Sequence, residues 1–299
     1  MLPAVRLPAD YAAHALVHEG HAGEIWRGVG PERRPLALKI AREADASWRQ
    51  RFETEARSLA SLTHRSIVRL HDHGATSDGR PFLALEWLEG PTLAQLLEER
   101  GAGIPPRDAI RLLLPIALAL VVAHDRGVVH GSVRAEHVIL LRADAASVLP
   151  KLVDFGEARR IAPSIAPPSV EQPTPRAHEQ VDPGDPGADV RGFAAMTFHA
   201  IAGAPPFSGA GPSVPRTGLS ERDGRLWRIL AEALAPAPAP VPSVHELARD
   251  LALWADQRGL DTDITGSPVL SRWPDAARRE SEPPKPPGAG TPRGGGRQP

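Results

Sequence analysis

The chain has 299 residues, no cysteine and a formal net charge of -1, with 35 Lys and Arg against 36 Asp and Glu. That balance implies no polyanionic partner, so nucleic acid is not expected, and the absence of thiols excludes disulfides and thiolate metal sites and suits a reducing compartment. The longest apolar run, Leu112 to Ala123, is too short to cross a bilayer and the N-terminus shows no charged-then-apolar leader, so the expectation is a soluble, cytoplasmic protein without a membrane span.

In chain order, Ala12 to Val17 and Glu24 to Gly28 read as two strands joined by the turn HEGHAG, and Leu36 to Ile40 as a third. Period-two alternation in LALKI puts Leu36, Leu38 and Ile40 on one face and Ala37 with Lys39 on the other. A lysine beneath a glycine hairpin needs an anion. From Asp45 to Leu62, the residues Trp48, Phe52, Ala56, Leu59 and Leu62 trace one face of a helix, and Glu55 falls inside that stripe. A carboxylate on an apolar face is costly unless paired, which makes Lys39 and Glu55 candidate partners.

Phe82 to Leu85 reads as a strand running into EWLEGPTLAQLL, and Pro105 to Asp125 as a long apolar helix. Two short strands follow, Val138 to Leu141 and Leu149 to Val153, set among loops that carry His130, His137 and Asp154. Asp189 is expected to open the helix ADVRGFAAMTFHAIAG, another helix is expected to start near Asp223, and Ser243 with Glu246 forms a capping box for a last helix ending near Trp254. Proline, at 33 residues, is about twice the usual ~5% and concentrates at 163 to 186, at 236 to 242 and near the end. From about residue 267 the chain is Pro, Gly, Arg and Ser with few aliphatics and is expected to be disordered.

The stretch VVHGSVRAEHVILL, followed by KLVDFG, resembles the protein kinase family, in which H-R-D-x-x-x-x-N and D-F-G supply a base and metal ligands. The resemblance extends over about residues 10 to 257, through the glycine hairpin, Lys39 and Glu55, the passage HRSIV, the stretch EWLEG, the segment ending AHEQ, the Asp189 helix and GAPPF. It is closest to bacterial Ser/Thr kinases of the eukaryotic-like type. What it implies is an α+β, bilobal fold: residues 1–88 as an N-lobe of antiparallel sheet with one helix, ending at the hinge; 89–257 as a larger, mainly helical C-lobe; and 258–299 as a tail.

The resemblance also assigns roles. Gly20 and Gly23 stand at two of the three hairpin glycines that approach phosphates, with His18 at the first. Lys39, oriented by Glu55, would meet the α- and β-phosphates of ATP. The backbones of Glu86 and Leu88 would meet the adenine edge, next to Leu85 at the gatekeeper position, and Ile25, Ala37 and Ile139 would meet its faces. Asp154 would hold Mg2+, while His130, Phe155 and Leu59 would stack as an internal spine, with His130 as a packing residue. Ser164, Ser169 and Thr174 are candidate acceptors for another kinase.

The catalytic loop departs from the pattern. Gly131 replaces Arg, Ser132 the catalytic Asp, Arg134 the usual Lys, and His137 the metal-binding Asn. Farther on, His178 replaces a Pro beside Glu179, and Val241 stands where an Arg would pair with Glu179. A seryl hydroxyl has no accessible negative charge near neutral pH, and a positioned base contributes roughly 10² to 10⁴ in rate. Magnesium prefers oxygen over imidazole, which makes His137 a poor second metal ligand. The leading expectation is a nucleotide-binding pseudokinase that signals through an unknown protein partner. The alternatives are a slow Ser/Thr kinase in which Arg134, Glu136 or a water compensates, a scaffold that binds no nucleotide, and a relative of the small-molecule phosphotransferases whose loop reads H-G-D-x-x-x-x-N.

Overall fold

The computed structural model describes residues 7–20, 23–142, 148–160, 185–206, 224–235 and 239–270. Ser164, Ser169, Thr174, His178, Glu179, Phe207 and the chain beyond 270 lie outside the described residues.

The N-lobe is an antiparallel sheet of five strands, β1 (Ala12–Gly20), β2 (Gly23–Val29), β3 (Pro35–Ile40), β4 (Leu70–Ala75) and β5 (Pro81–Glu86), in the order β1-β2-β3-β5-β4. The alternation in β3 sorts as its pattern predicts. Leu36, Leu38 and Ile40 join Trp26, Phe82 and Ala84 in a cluster on one face, and Lys39 is buried on the other. Gly23 (φ 113°) could not be another residue, because a Cβ there would lie 2.3 Å from the Ile40 carbonyl oxygen. Helix α1 (Ala46–Ala60) starts at Asp45, whose carboxylate accepts from the Trp48 amide at 2.9 Å. It buries Phe52, Glu55, Ala56 and Leu59, the stripe that carries the unexpected acid.

The C-lobe is built on α3 (Pro106–Asp125), preceded by α2 (Leu93–Arg100). Twelve of the residues of α3 are buried, so it reads as apolar nearly all round and sits in the core, not at the surface. Next come four short strands, β6 (Val128–Val129), β7 (Val138–Arg142), β8 (Val148–Leu152) and β9 (Arg159–Arg160), paired as β6-β9 and β7-β8. Helices α4 (Pro186–Ala202), α5 (Gly224–Ala233) and α6 (Val244–Asp256) complete the lobe. The capping box of α6 forms as expected, with the Glu246 amide donating to Ser243 Oγ and the Ser243 amide to Glu246 Oε2. Helix α4 starts earlier than its sequence pattern suggests. Asp185 is the N-cap and Pro186 the first residue, so Asp189 sits in the first turn with its side chain turned into the core.

Packing continues past residue 257. Leu260, Ile264 and Leu270 lie against the main core and Val269 is buried. The Ile264 amide donates to the Arg111 carbonyl of α3 at 2.9 Å. Asp263, itself buried, holds this strap in shape by accepting from the Thr265 amide and hydroxyl, both at 2.7 Å, and from the Ser267 amide at 3.1 Å. Among the described residues no helix is long and apolar enough to cross a membrane.

Between the lobes His130 is fully buried, its ring edge-on to Phe155 at a centroid distance of 4.5 Å, and Leu59 belongs to the same core. His130 Nε2 donates to the Val153 carbonyl at 3.0 Å and Nδ1 accepts from the Ser132 amide at 3.2 Å, a neutral tautomer with both nitrogens used. Burial holds its pKa below the usual histidine value, against the opposing pull of Asp189.

Two predictions follow from this packing. Asp263→Ala, which strips three hydrogen bonds from a buried turn, is expected to lower stability by about 1–3 kcal/mol and to expose 258–270 to limited proteolysis; a strap that stays resistant would contradict the packing. Because folded His130 resists a proton that the unfolded chain accepts near pH ~6.5, stability should hold above that pH and fall below it. The slope from this group is at most about 1.4 kcal/mol per pH unit, and His130→Phe should reduce it in urea unfolding between pH 7.5 and 5. His137, also held low by burial, leaves a residual slope of the same sign.

Candidate active site

Three elements converge on one ammonium group. Lys39, on β3 and 3% exposed, donates from Nζ to Glu55 Oε1 and Oε2 on α1 at 2.9 and 2.8 Å, and to Asp154 Oδ1 after β8 at 2.8 Å. Its three protons have three acceptors. Burial alone would favour the neutral amine, but the Glu55 and Asp154 carboxylates more than offset that and hold the lysine charged. Burial likewise works to raise Asp154, and the Lys39 ammonium beside it overrides this, keeping the carboxyl well below the usual range. Asp154 has left-handed backbone angles, φ 62° and ψ 69°. A non-glycine residue held there costs of order 1–3 kcal/mol, so the surrounding contacts must fix it.

The other oxygen of Asp154 faces His137. Oδ2 lies 3.3 Å from His137 Nε2. His137 Nδ1 is 2.8 Å from the Ser132 carbonyl, which can only accept, so Nδ1 carries the proton. Nε2 is then an acceptor, and it receives the Arg134 Nε proton at 3.2 Å.

The loop from His130 to His137 is anchored by Asp189, fully buried at the start of α4. Its Oδ2 accepts from the His130 amide at 2.8 Å and lies 2.8 Å from His124 Nε2, and its Oδ1 accepts from the Gly131 amide at 2.7 Å. Gly131 has φ 81°, a conformation that costs other residues about 1–2 kcal/mol. Ser132 follows, half-buried, at the position of the missing carboxylate.

Ile25, Ala37, Ile139 and Leu88 are all half-buried, Ala37 and Ile139 between buried neighbours. In the sheet register Ile25 lies opposite Lys39 and Ala37 opposite Leu85, so Ile25 and Ala37 share the face that carries the lysine. Gly20 pairs with Gly23 across the hairpin. The His18 imidazole lies against Gly20, within 2.8 Å of where a Cβ would stand. At the hinge, the Glu86 amide already donates to the Arg69 carbonyl at 2.9 Å, which leaves the Glu86 carbonyl as the group free of that bond.

Sequence reasoning missed two partnerships. Lys151, 7% exposed on β8, donates to the Glu86 carboxylate and to the Ile67 carbonyl, tying the lower lobe to the hinge. Its signal was available, since a lysine between Pro150 and Leu152 in a buried strand demands an acid. His124 against Asp189 had no comparable signal, because nothing in AHDRG distinguishes it from a surface histidine. Among the described residues no three His, Asp or Glu side chains gather as a ready-made metal site.

Comparison with known proteins agrees with this geometry. The family model described as the protein kinase domain matches residues 11–250. Serine/threonine-protein kinase PknL of Mycobacterium bovis is 37% identical over 218 residues, covering 70% of this chain and 53% of that protein. Serine/threonine-protein kinase PkaB of Streptomyces coelicolor is 30% identical over 279 residues, covering 82% and 63%. The chain thus spans about half to two thirds of the length of these relatives. The crystal structure of the Mycobacterium tuberculosis PknI kinase domain superposes with a TM-score of 0.63 at 30% identity, over 86% of this chain and all of that one. The chain belongs to the protein kinase domain family, among the eukaryotic-like Ser/Thr kinases of bacteria.

Proposed function

We propose that this chain is a nucleotide-binding pseudokinase that acts in signalling through a protein partner. The observation that carries the reading is the contrast between a complete Lys39–Glu55–Asp154 cluster and a loop whose base position holds Ser132. Lys39 is a fixed ammonium whose proton now on Asp154 Oδ1 could turn to a phosphate oxygen while Glu55 keeps the other two. Ile25, Ala37 and Ile139 offer apolar walls for a purine, with the Glu86 carbonyl and the Leu88 backbone at its edge. The Asp154 carboxylate suits Mg2+; His137 does not, since it offers only an imidazole nitrogen, one that already accepts from Arg134. A bound divalent cation would supply charge neutralisation between the phosphates.

Among the described residues of this loop, none is suited to orient an incoming hydroxyl and receive its proton. Ser132 cannot take a proton near neutral pH, and Glu136 is exposed and close to Arg134, at 4.0 Å. A second reading, a slow Ser/Thr kinase, draws on Arg134, whose side chain is 61% exposed and adjacent to Asp154 through His137. Its cation could meet a transferring phosphate. It supplies no base.

In thermal unfolding, ATP with a divalent cation is expected to stabilise the protein in a dose-dependent way, by about 2.7 kcal/mol at a hundredfold excess over Kd. Lys39→Met should abolish the response and, by leaving Glu55 buried without its partner, cost about 3 kcal/mol on its own. A flat response of the unsubstituted protein would contradict nucleotide binding. Restoring the base with Ser132→Asp should raise transfer from radiolabelled ATP on the order of 10²-fold. If the natural chain already transfers as fast as that variant, and both Lys39→Met and Asp154→Ala abolish transfer, the protein is an active kinase.

A further inference from the structure

A second cleft lies beside the hinge, with a volume of about 460 Å³. Its apolar wall is Pro35 at the start of β3, Trp87 of the hinge, and Leu141 and Leu149 of the β7–β8 pair, with Arg34 and Arg142 beside them. None of Lys39, Glu55 and Asp154 lines it, so it is separate from the candidate active site. We infer that this cleft receives the chain's own proline-rich segment, residues 280–287 with the sequence ESEPPKPP, docked within the same molecule as a polyproline helix. The inference does not depend on what the nucleotide pocket binds.

Three observations support this occupant. The first is the chemistry of the wall. A polyproline helix makes no internal hydrogen bonds and its prolines carry no N–H, so it suits a groove with an aromatic side chain, apolar neighbours and hydrogen-bond donors. Arg34 and Arg142 are exposed donors, and the buried Trp87 Nε1 has no hydrogen-bond partner among the described residues. A segment rich in unpaired carbonyls is the kind of chain that relieves such a donor. The second is charge. Glu280 and Glu282 precede the prolines and Lys285 divides them. Arg34 meets the His71 ring, 3.1 Å from Nδ1, and neither Arg34 nor Arg142 has an acidic partner among the described residues. Glu89, exposed at the same cleft, is an acid for Lys285, since Glu86 is already held by Lys151. The third is reach. Ser267 Oγ in the strap accepts from Arg65 Nη1 at 3.4 Å, and the carbonyl of the next residue, Ser66, accepts from the Leu152 amide of β8 at 2.8 Å. Leu149 stands three residues back on that strand, roughly 10 Å away. Pro283 is 13 residues beyond Leu270, a length that spans up to about 45 Å.

The chain has no cysteine, so Ser281→Cys gives the whole protein a single thiol, to be labelled with a benzophenone maleimide and irradiated in dilute solution. Mass spectrometry should place the cross-link within one chain, on peptides that carry Arg34, Trp87 or Leu149, with a yield that does not change on dilution. Pro284→Ser and Pro286→Ser, made together, alter the segment without touching the hinge and should lose that cross-link. Trp87→Ala alters the wall and should lose it as well. No cross-link, one elsewhere in the chain, one to the cleft that survives either substitution, or one between two chains that grows with concentration each overturns the proposal. The last outcome would assign the cleft to the same segment of a second copy.

Discussion

Lys39 brings a positive charge to a place that water hardly reaches, and much of the molecule is arranged to keep that charge satisfied. An unpaired buried ammonium would cost several kcal/mol or lose its proton. The two carboxylates that prevent this come from α1 and from the turn after β8, so the pairing fixes a strand, a helix and the lower lobe relative to one another. Space around the cluster is short. A Cβ on Gly156 would lie 3.0 Å from Lys39 Nζ and 3.3 Å from Glu55 Oε2, so a side chain after Phe155 would press on the ion cluster. Behind it, Phe155 and His130 pack edge to face, and the apolar and ionic contacts between the lobes stabilise the same arrangement.

The loop that carries Ser132 is held by a different logic. Asp189 grips it through the amides of His130 and Gly131, and a backbone N–H is offered by any residue except proline. Side chains at positions 131 and 132 can therefore change without releasing the loop. Gly131 even eases the left-handed turn there. This explains how the loop can keep its shape while the side chains it presents at positions 131 and 132 vary.

Sequence and structure diverge for identifiable reasons. Lys39 and Glu55 were legible because each sits where its element should be apolar, and burial forces such charges to find each other. Asp154 was legible from its tripeptide and its distance from His130. Helix α4 starts at Pro186 and not at Asp189, because an N-cap carboxylate followed by proline, Asp185–Pro186, is the stronger N-terminal signature. The strap from 258 to 270 was hidden because Leu260, Ile264, Val269 and Leu270 follow neither helical nor strand periodicity, and its order rests on Asp263 and on contacts with α3. The tautomer of His137 depends on where the Ser132 carbonyl points, which no sequence pattern encodes.

The charge of the cluster constrains what can enter the cleft. One ammonium faces two carboxylates, and since the ammonium sits on Oδ1, the excess negative charge is borne by Asp154 Oδ2, on the side of His137. At an effective dielectric of about 20, two unit charges 4 Å apart interact by roughly 4 kcal/mol, so a triphosphate approaching Asp154 unaided would be repelled on that scale. Neutral His137 does nothing to offset this. Arg134 can, from an exposed position where screening weakens it. On the proposed reading, a cation at Oδ2 would remove the repulsion at its source, which the Lys39 ammonium, held on Oδ1, does not do.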